Sequence, residues 1–198
     1  SLVVAQFDAV AVNGGGGPYT PQGVDNFDSG TDQGYVIGVD NLAFGQLTLR
    51  RVSNPAGAPS LSANVPITVP TTLLPVSVPH PGGTLPLDAI DDRLLQAVLR
   101  NGRLWTTHQF EVNGSGVAQS GGGRNAVRWY ELQNLGGSPS LVQSGTVFDP
   151  SGSNPASFWF GAIMPSGQGH VALGMSTAGP VTRVNAAVSG CPCASGHA

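Results

Sequence analysis

The chain has 198 residues, enough for one substantial domain that buries roughly 70% of its unfolded surface. Only 10% of the residues are charged, every basic residue is arginine and the formal net charge is -3, so nothing here neutralises a phosphate backbone and no nucleic-acid partner or membrane insertion is expected. Gly 29 and Pro 16 occur without a collagen period beside 40% hydrophobic content, and no apolar run approaches the roughly 18 residues of a transmembrane helix; the composition describes short strands joined by turns.

In chain order, Leu2 to Val12 (LVVAQFDAVAV) alternates imperfectly and fits one strand or a strand pair, followed by a flexible NGGGG loop at 13 to 17. Residues 24 to 34 (VDNFDSGTDQG) form an acidic, turn-forming segment, and Tyr35 to Asp40 and Gln46 to Val52 read as strands. Prolines then recur at 55, 59, 66, 70, 75, 79, 81 and 86. Proline has no N–H to donate, so strands at Ile67 to Val69 and Val76 to Val78 must be short or at an edge, and the stretch reads as a surface-wrapping connection.

The clearest element is Arg93 to Phe110 (RLLQAVLR-NG-RLWTTHQF). Asn101-Gly102 between two β-favouring runs is a type I′ hairpin signal, because both residues tolerate positive φ. The register sets Arg100 opposite Arg103, Leu99 opposite Leu104, Val98 opposite Trp105, Ala97 opposite Thr106 and Leu95 opposite His108. Leu95, Ala97, Leu99, Leu104 and Phe110 then share a core face, where His108 is expected as a hydrogen-bonded core histidine. Arg100, Arg103 and Trp105 are expected to form an outward contact patch. Further strands are expected at Arg124 to Gln133, Ser140 to Phe148, Ser157 to Met164, His170 to Ser176 and Val181 to Val188. No segment sustains a 3.6-residue period, so the chain is all-β. Residues 191–198 read as a flexible tail. A Cys191–Cys193 bridge would close a very small ring, so free or intermolecularly paired thiols are expected, with His197 the one nearby metal-ligand candidate.

Three units recur, at about 24–86, 87–148 and 149–190 of a single domain over 1–190, each an apolar strand, a Gly-containing turn and a second strand. The runs LLQAVLRNGRLWTTH, AVRWYELQ, LVQSGTVFD and FWFGAIMPSGQGHVALGMSTAG resemble secreted bacterial β-propellers of the sialidase-like, BNR-repeat type over about residues 87 to 180. The resemblance implies a propeller-like array of about three to four antiparallel blades and a secreted or periplasmic location. Ser1 reads as a processed terminus compatible with a removed signal peptide. The alternative is a two-sheet β-sandwich. Three blades alone would leave two open edges, which a homo-oligomer could pair.

Several constellations could carry chemistry. Asp25, Asp28 and Asp32 on a Gly-containing loop suit Ca²⁺, which takes 6 to 8 oxygen ligands; the other reading is a set of Asx-turns. The same loop resembles a degenerate Asp-box, with Asp32 and Gln33 where Thr and Trp are expected. Asp88, Asp91 and Asp92 could supply an acid and a base for glycoside hydrolysis, or form an acidic turn paired with Arg93. Ser176, His170 and Asp149 would make a nucleophilic constellation only if the fold gathers them, and Gly174-Met175-Ser176-Thr177-Ala178 lacks the second glycine of a nucleophile elbow. Tyr130 and Glu131, near Arg128, resemble a sialidase nucleophile and its partner, yet strand alternation sends them to opposite faces. Asn113-Gly114-Ser115 fits a glycosylation sequon. The leading expectation is a secreted binding or structural module for carbohydrate or another extracellular macromolecule; the alternative is an extracellular glycosidase or esterase.

Overall fold

The computed structural model describes residues 4–7, 16–30 and 32–192, and the fold is all-β. In chain order the strands are β1 (Pro18–Gly23), β2 (Asp25–Asn26), β3 (Gln33–Asp40), β4 (Gln46–Ser53), β5 (Ser60–Leu61) and β6 (Val65–Thr68). After a long irregular connection come β7 (Gln96–Arg100), β8 (Arg103–Val112), β9 (Arg124–Gln133), β10 (Ser140–Val147), β11 (Ser157–Pro165), β12 (Val171–Gly179) and β13 (Thr182–Cys191). Residues 4–7 are irregular. The rest of the expected Leu2–Val12 strand, most of the NGGGG loop, Cys193 and His197 lie outside the described residues.

Three curled sheets result. The first runs β1-β3-β4-β5, with β6 also on β4; the second runs β10-β9-β8-β7-β2; the third runs β11-β12-β13. Asn101 and Gly102 adopt φ of 54° and 69°, as a type I′ turn requires. The pairing of Arg100 with Arg103 through Ala97 with Thr106 follows the expected register, but β7 begins with Gln96 opposite Thr107. Leu95 therefore has no place opposite His108, and Leu94 takes the core position instead. Two further departures are the expected strand at Val76 to Val78, which contributes only an isolated bridge through Val78, and β2, which pairs with β7 in parallel through only Asp25 and Asn26.

The second sheet is the middle layer. From its even-numbered face Leu104, Tyr130 and Leu132 pack against Ile37, Leu47, Leu49 and Ile67 of the first sheet. From the odd-numbered face Trp105, Val127 and Trp129 pack against Ile163, Val171, Leu173 and Met175 of the third. Each such side chain contributes roughly 1.5–3 kcal/mol on burial. Because a third sheet covers the odd face, Trp105 is 3% exposed and belongs to the core rather than to an outward patch. The three sheets stack as three layers, with the second between the first and the third.

Asp28 ties the acidic loop to the central hairpin. Its Oδ1 accepts the Asn101 N–H at 2.6 Å and its Oδ2 accepts the Gly102 N–H at 2.7 Å, which fastens both turn amides to one carboxylate. Charge-assisted bonds of this kind contribute about 1.5–3 kcal/mol each before solvent competition. Asp28→Ala is expected to lower stability by about 1–2 kcal/mol in urea unfolding, and an unchanged midpoint would remove Asp28 from the turn's support.

Candidate functional site

β8 has ten residues and β7 only five, so the edge of β8 beyond Thr107 has no β7 beside it. The proline-rich connection lies along that gap, and side chains of the middle sheet hold its backbone. Arg128 Nη1 donates to the carbonyls of Pro70 (3.2 Å) and Thr71 (3.1 Å). The Asn125 amide brackets Val76, accepting its N–H at 2.8 Å and donating to its carbonyl at 2.6 Å. Val78 and Leu87 close the connection on itself through a short antiparallel bridge.

Gln109 sits at the centre and is fully buried. Its Nε2 donates to the carbonyls of Ala89 (3.2 Å) and Asp91 (2.6 Å), on either side of Ile90. Its Oε1 accepts the Phe160 N–H at 3.1 Å. Ile90 and Phe160 have φ of 52° and 54°, left-handed values that bulky side chains seldom adopt. One amide thus pins two strained residues, which stand 41% and 38% exposed. Phe160 lies where the β11–β12 register shifts between Trp159 and Ala162, and a second glutamine, Gln96, accepts the Ile163 N–H at 2.9 Å. Between them a Cβ on Gly161 would stand 2.7 Å from Val127 Cγ1, so β11 can approach the middle sheet this closely only at glycine.

On the opposite face His108 is buried between Phe110 and Tyr130. The Asp92 carbonyl, 2.6 Å from Nδ1, can only accept, so Nδ1 carries the proton and Nε2 accepts the Tyr130 hydroxyl at 2.9 Å. Burial, with Arg128 adding to it, lowers the His108 pKa to about 4. Burial also raises that of Tyr130. Asp92, 6% exposed, is pushed up to about 6 by burial and then by the Asp91 charge. Asp91 moves the other way because Arg93 donates to it, at 2.6 Å from both Nε and Nη2, while the Tyr19 hydroxyl donates at 2.9 Å.

The remaining candidates are dispersed. Asp88 Oδ1 caps the Ile90 N–H at 2.7 Å. Ser176 and His170 lie six residues apart along one extended segment, about 20 Å, and Asp149 caps Ser151 and Ala156 in a separate loop; the fold does not gather the three. Asp28 spends both oxygens on the hairpin turn, Asp25 pairs with β7 and Asp32 is exposed; among the described residues no group of three His, Cys, Asp or Glu side chains is placed to hold a metal. Arg100 reaches the Pro165 carbonyl at 3.1 Å and lies over Phe27, whereas Arg103 pairs with Glu131 at 3.5 Å and donates to Gln133. These two arginines brace the hairpin in different directions. Tyr130 is in the core and Glu131, on the opposite face, also accepts from Gln143 at 2.6 Å. Cys191 is disulfide-bonded, where free or intermolecularly paired thiols were expected. The Asn113 amide of the sequon is turned inward to Ser115, Val117 and Gln119.

The outer face of the third sheet carries a groove of about 370 Å³ lined chiefly by Ala162, Met164, Ala172, Gly174, Val188 and Ser189, with no charged residue. Sequence reasoning missed both this groove and Gln109. The signal for Gln109 was available: a residue with two donors and two acceptors at an inward position of an otherwise apolar strand needs several partners. No protein-family model, curated protein or solved structure was found to match this chain.

Gln109→Leu leaves two carbonyls and one N–H without their partner and is expected to cost about 3 kcal/mol or more in denaturant unfolding. The pH response tests the other face. His108, with its pKa lowered in the folded state, makes stability rise with pH from about 4 to the unfolded value of 6.5, by about 3 kcal/mol in all. Asp92, with its pKa raised from 3.8 to about 6, makes stability fall with pH across nearly the same window. The two oppose each other, so the chain is expected to show little pH dependence there. Asp92→Asn is expected to expose the His108 slope, with stability dropping on acidification, as followed by urea midpoints at stepped pH.

Proposed function

We propose that the chain is an extracellular, non-catalytic binding module whose third sheet docks an apolar, strand-forming segment of an extracellular macromolecule, a protein ahead of a carbohydrate. The observation that carries this reading is the uncharged groove floored by Ala162, Ala172 and Gly174 and walled by Met164 and Val188. Its lining offers shape and apolar contact with few polar groups, which suits a side chain or extended peptide better than a sugar ring. Trp105, Trp129 and Trp159, the strongest stacking platforms in the chain, are all buried. The carboxylates, serines and histidines singled out from the sequence either cap backbone, pair with arginine or stand far apart.

A second reading, hydrolysis, keeps one support: Asp91 and Asp92 are adjacent and their pKa values are driven in opposite directions, the pattern of an acid beside a base.

Gly174 supplies the test, because a Cβ added there meets nothing within 4 Å and a larger side chain fills the groove without disturbing the sheet. Arrays of uncharged β-forming peptides and of glycans, probed with the native chain and with Gly174→Val, are expected to show peptide retention that the variant loses at least tenfold, a loss of about 1.4 kcal/mol. Glycan binding indifferent to Gly174 would move the site elsewhere. Turnover of chromogenic glycosides abolished by Asp92→Asn would establish the hydrolase instead.

A further inference from the structure

The chain crosses once from the second sheet to the third, in the connection between β10, which ends at Val147, and β11, which begins at Ser157. That connection holds the one Asp-Pro bond of the sequence, Asp149–Pro150. Both of its ends are anchored. Phe148 packs against the cluster of Phe110, Val112 and Ala126, and the Ser157 Oγ accepts the Asn125 N–H at 3.0 Å. Between these anchors residues 150–154 are exposed, so water reaches the bond.

Carbonyl, carboxylate and amide nitrogen each have a specific setting. The Asp149 carbonyl oxygen accepts from Arg124 Nη1 at 2.5 Å, and the same nitrogen donates to the Ser151 carbonyl at 2.7 Å. Arg124 is 7% exposed and its Nε has no hydrogen-bond partner. Among the described residues it forms no ion pair, so its charge is spent on these carbonyls. The Asp149 carboxylate is fixed by neighbouring backbone: Oδ1 accepts the Ser151 N–H at 2.9 Å and Oδ2 the Ala156 N–H at 2.7 Å. Hydrogen bonds from Ser151 and then Ala156 hold its pKa below the usual carboxylate range, which keeps the group ionised at neutral pH. The Pro150 nitrogen belongs to a tertiary amide, has no N–H and departs as a basic secondary amine.

We propose that Asp149 cleaves the chain at its own bond to Pro150, with Arg124 stabilising the oxyanion that forms on the Asp149 carbonyl. A carboxylate oxygen of Asp149 bonds to the main-chain carbonyl carbon of the same residue and closes a five-membered ring. The carbonyl oxygen takes up the negative charge under the Arg124 guanidinium. As the carbonyl re-forms, the C–N bond to Pro150 breaks and the nitrogen takes a proton from a water molecule. The hydroxide left behind opens the cyclic anhydride. One water is consumed, nothing is oxidised or reduced, and the products are a chain ending at Asp149 and one beginning at Pro150. Nucleophile and target belong to one residue, so no encounter step is needed. The cut is a single turnover on the chain itself, and it leaves the module without catalysis on its ligand. It frees the third sheet, with its groove, from its covalent link to the second. Ile163, Val171, Leu173 and Met175 keep that sheet packed on Trp105, Val127 and Trp129.

Intact-mass measurement of the full chain in neutral buffer is expected to show fragments 1–149 and 150–198 accumulating together, the second with Pro150 at its N-terminus. The reaction is expected to be first order and independent of chain concentration; a rate that rises with concentration marks cleavage between molecules and overturns the proposal. Unfolding the native chain in urea takes Arg124 off the carbonyl without changing a residue, and is expected to slow the cut about tenfold or more. Cleavage as fast in urea as in buffer overturns the proposal, and so does a folded chain that stays intact. Asp149→Glu keeps the charge but enlarges the ring, and Pro150→Ala turns the leaving group into a secondary amide; each is expected to slow the reaction about tenfold or more. Arg124→Gln, confirmed as folded by circular dichroism, is expected to lose a similar factor. A native rate in that variant makes Arg124 a brace of the loop alone and overturns its part in the step.

Discussion

The mismatch in length between β7 and β8 is the constraint from which most of this architecture follows. A strand in the middle of a three-layer stack cannot leave N–H and C=O groups bare, because water does not reach them and each orphan costs about 1–3 kcal/mol. Where β7 stops at Gln96, the proline-rich connection must come in, and it arrives without the regular donors of a strand. Side chains make up the difference. Arg128, Asn125, Gln109 and His108 reach from the middle sheet to carbonyls or amides of Pro70, Val76, Ala89, Asp91 and Asp92. The connection is held as a surrogate strand, and the polar residues buried beneath it are its ladder.

That role explains why residues that look chemical turn out to be architectural. A buried histidine bonded to a tyrosine, a buried aspartate of raised pKa and a buried arginine would read as a catalytic cluster if they opened on a cavity. Here His108 is enclosed by Phe110 and Tyr130, and Arg128 lies 4.4 Å over the Phe110 ring. Their protonation is tuned by burial, and because the tuning of His108 and Asp92 runs in opposite directions, their contributions to stability oppose each other as the medium acidifies.

Local chemistry made much of the fold legible. Asn101-Gly102 admits one tight turn, and that turn sets the β7–β8 register residue by residue. Arg124–Gln133 is bounded by glycine-rich loops and was readable at both ends. What alternation could not convey is how many layers cover a strand: Trp105 reads as outward because a two-sided sheet usually has a wet face, whereas β11 to β13 cover it. The parallel β2–β7 contact involves two residues and leaves no periodic trace. Asp28 illustrates a different limit, since a carboxylate in a glycine-rich loop has the same local appearance whether it binds a cation or two amides 73 and 74 residues away in the chain. The groove on the third sheet was invisible because small residues such as Ala172 and Gly174 signal tight packing as readily as an open floor.

The single amide of Gln109 has a dynamic consequence. It holds the backbone around Ile90 and the bulge at Phe160, segments far apart in the chain and otherwise joined mainly through the small apolar cluster of Val78, Ala89, Trp159 and Ala178. Neither left-handed residue can relax without breaking a bond to the same side chain. The strap and the bulge therefore form one opening unit, and amide protons on both should exchange with solvent together rather than as two independent loops.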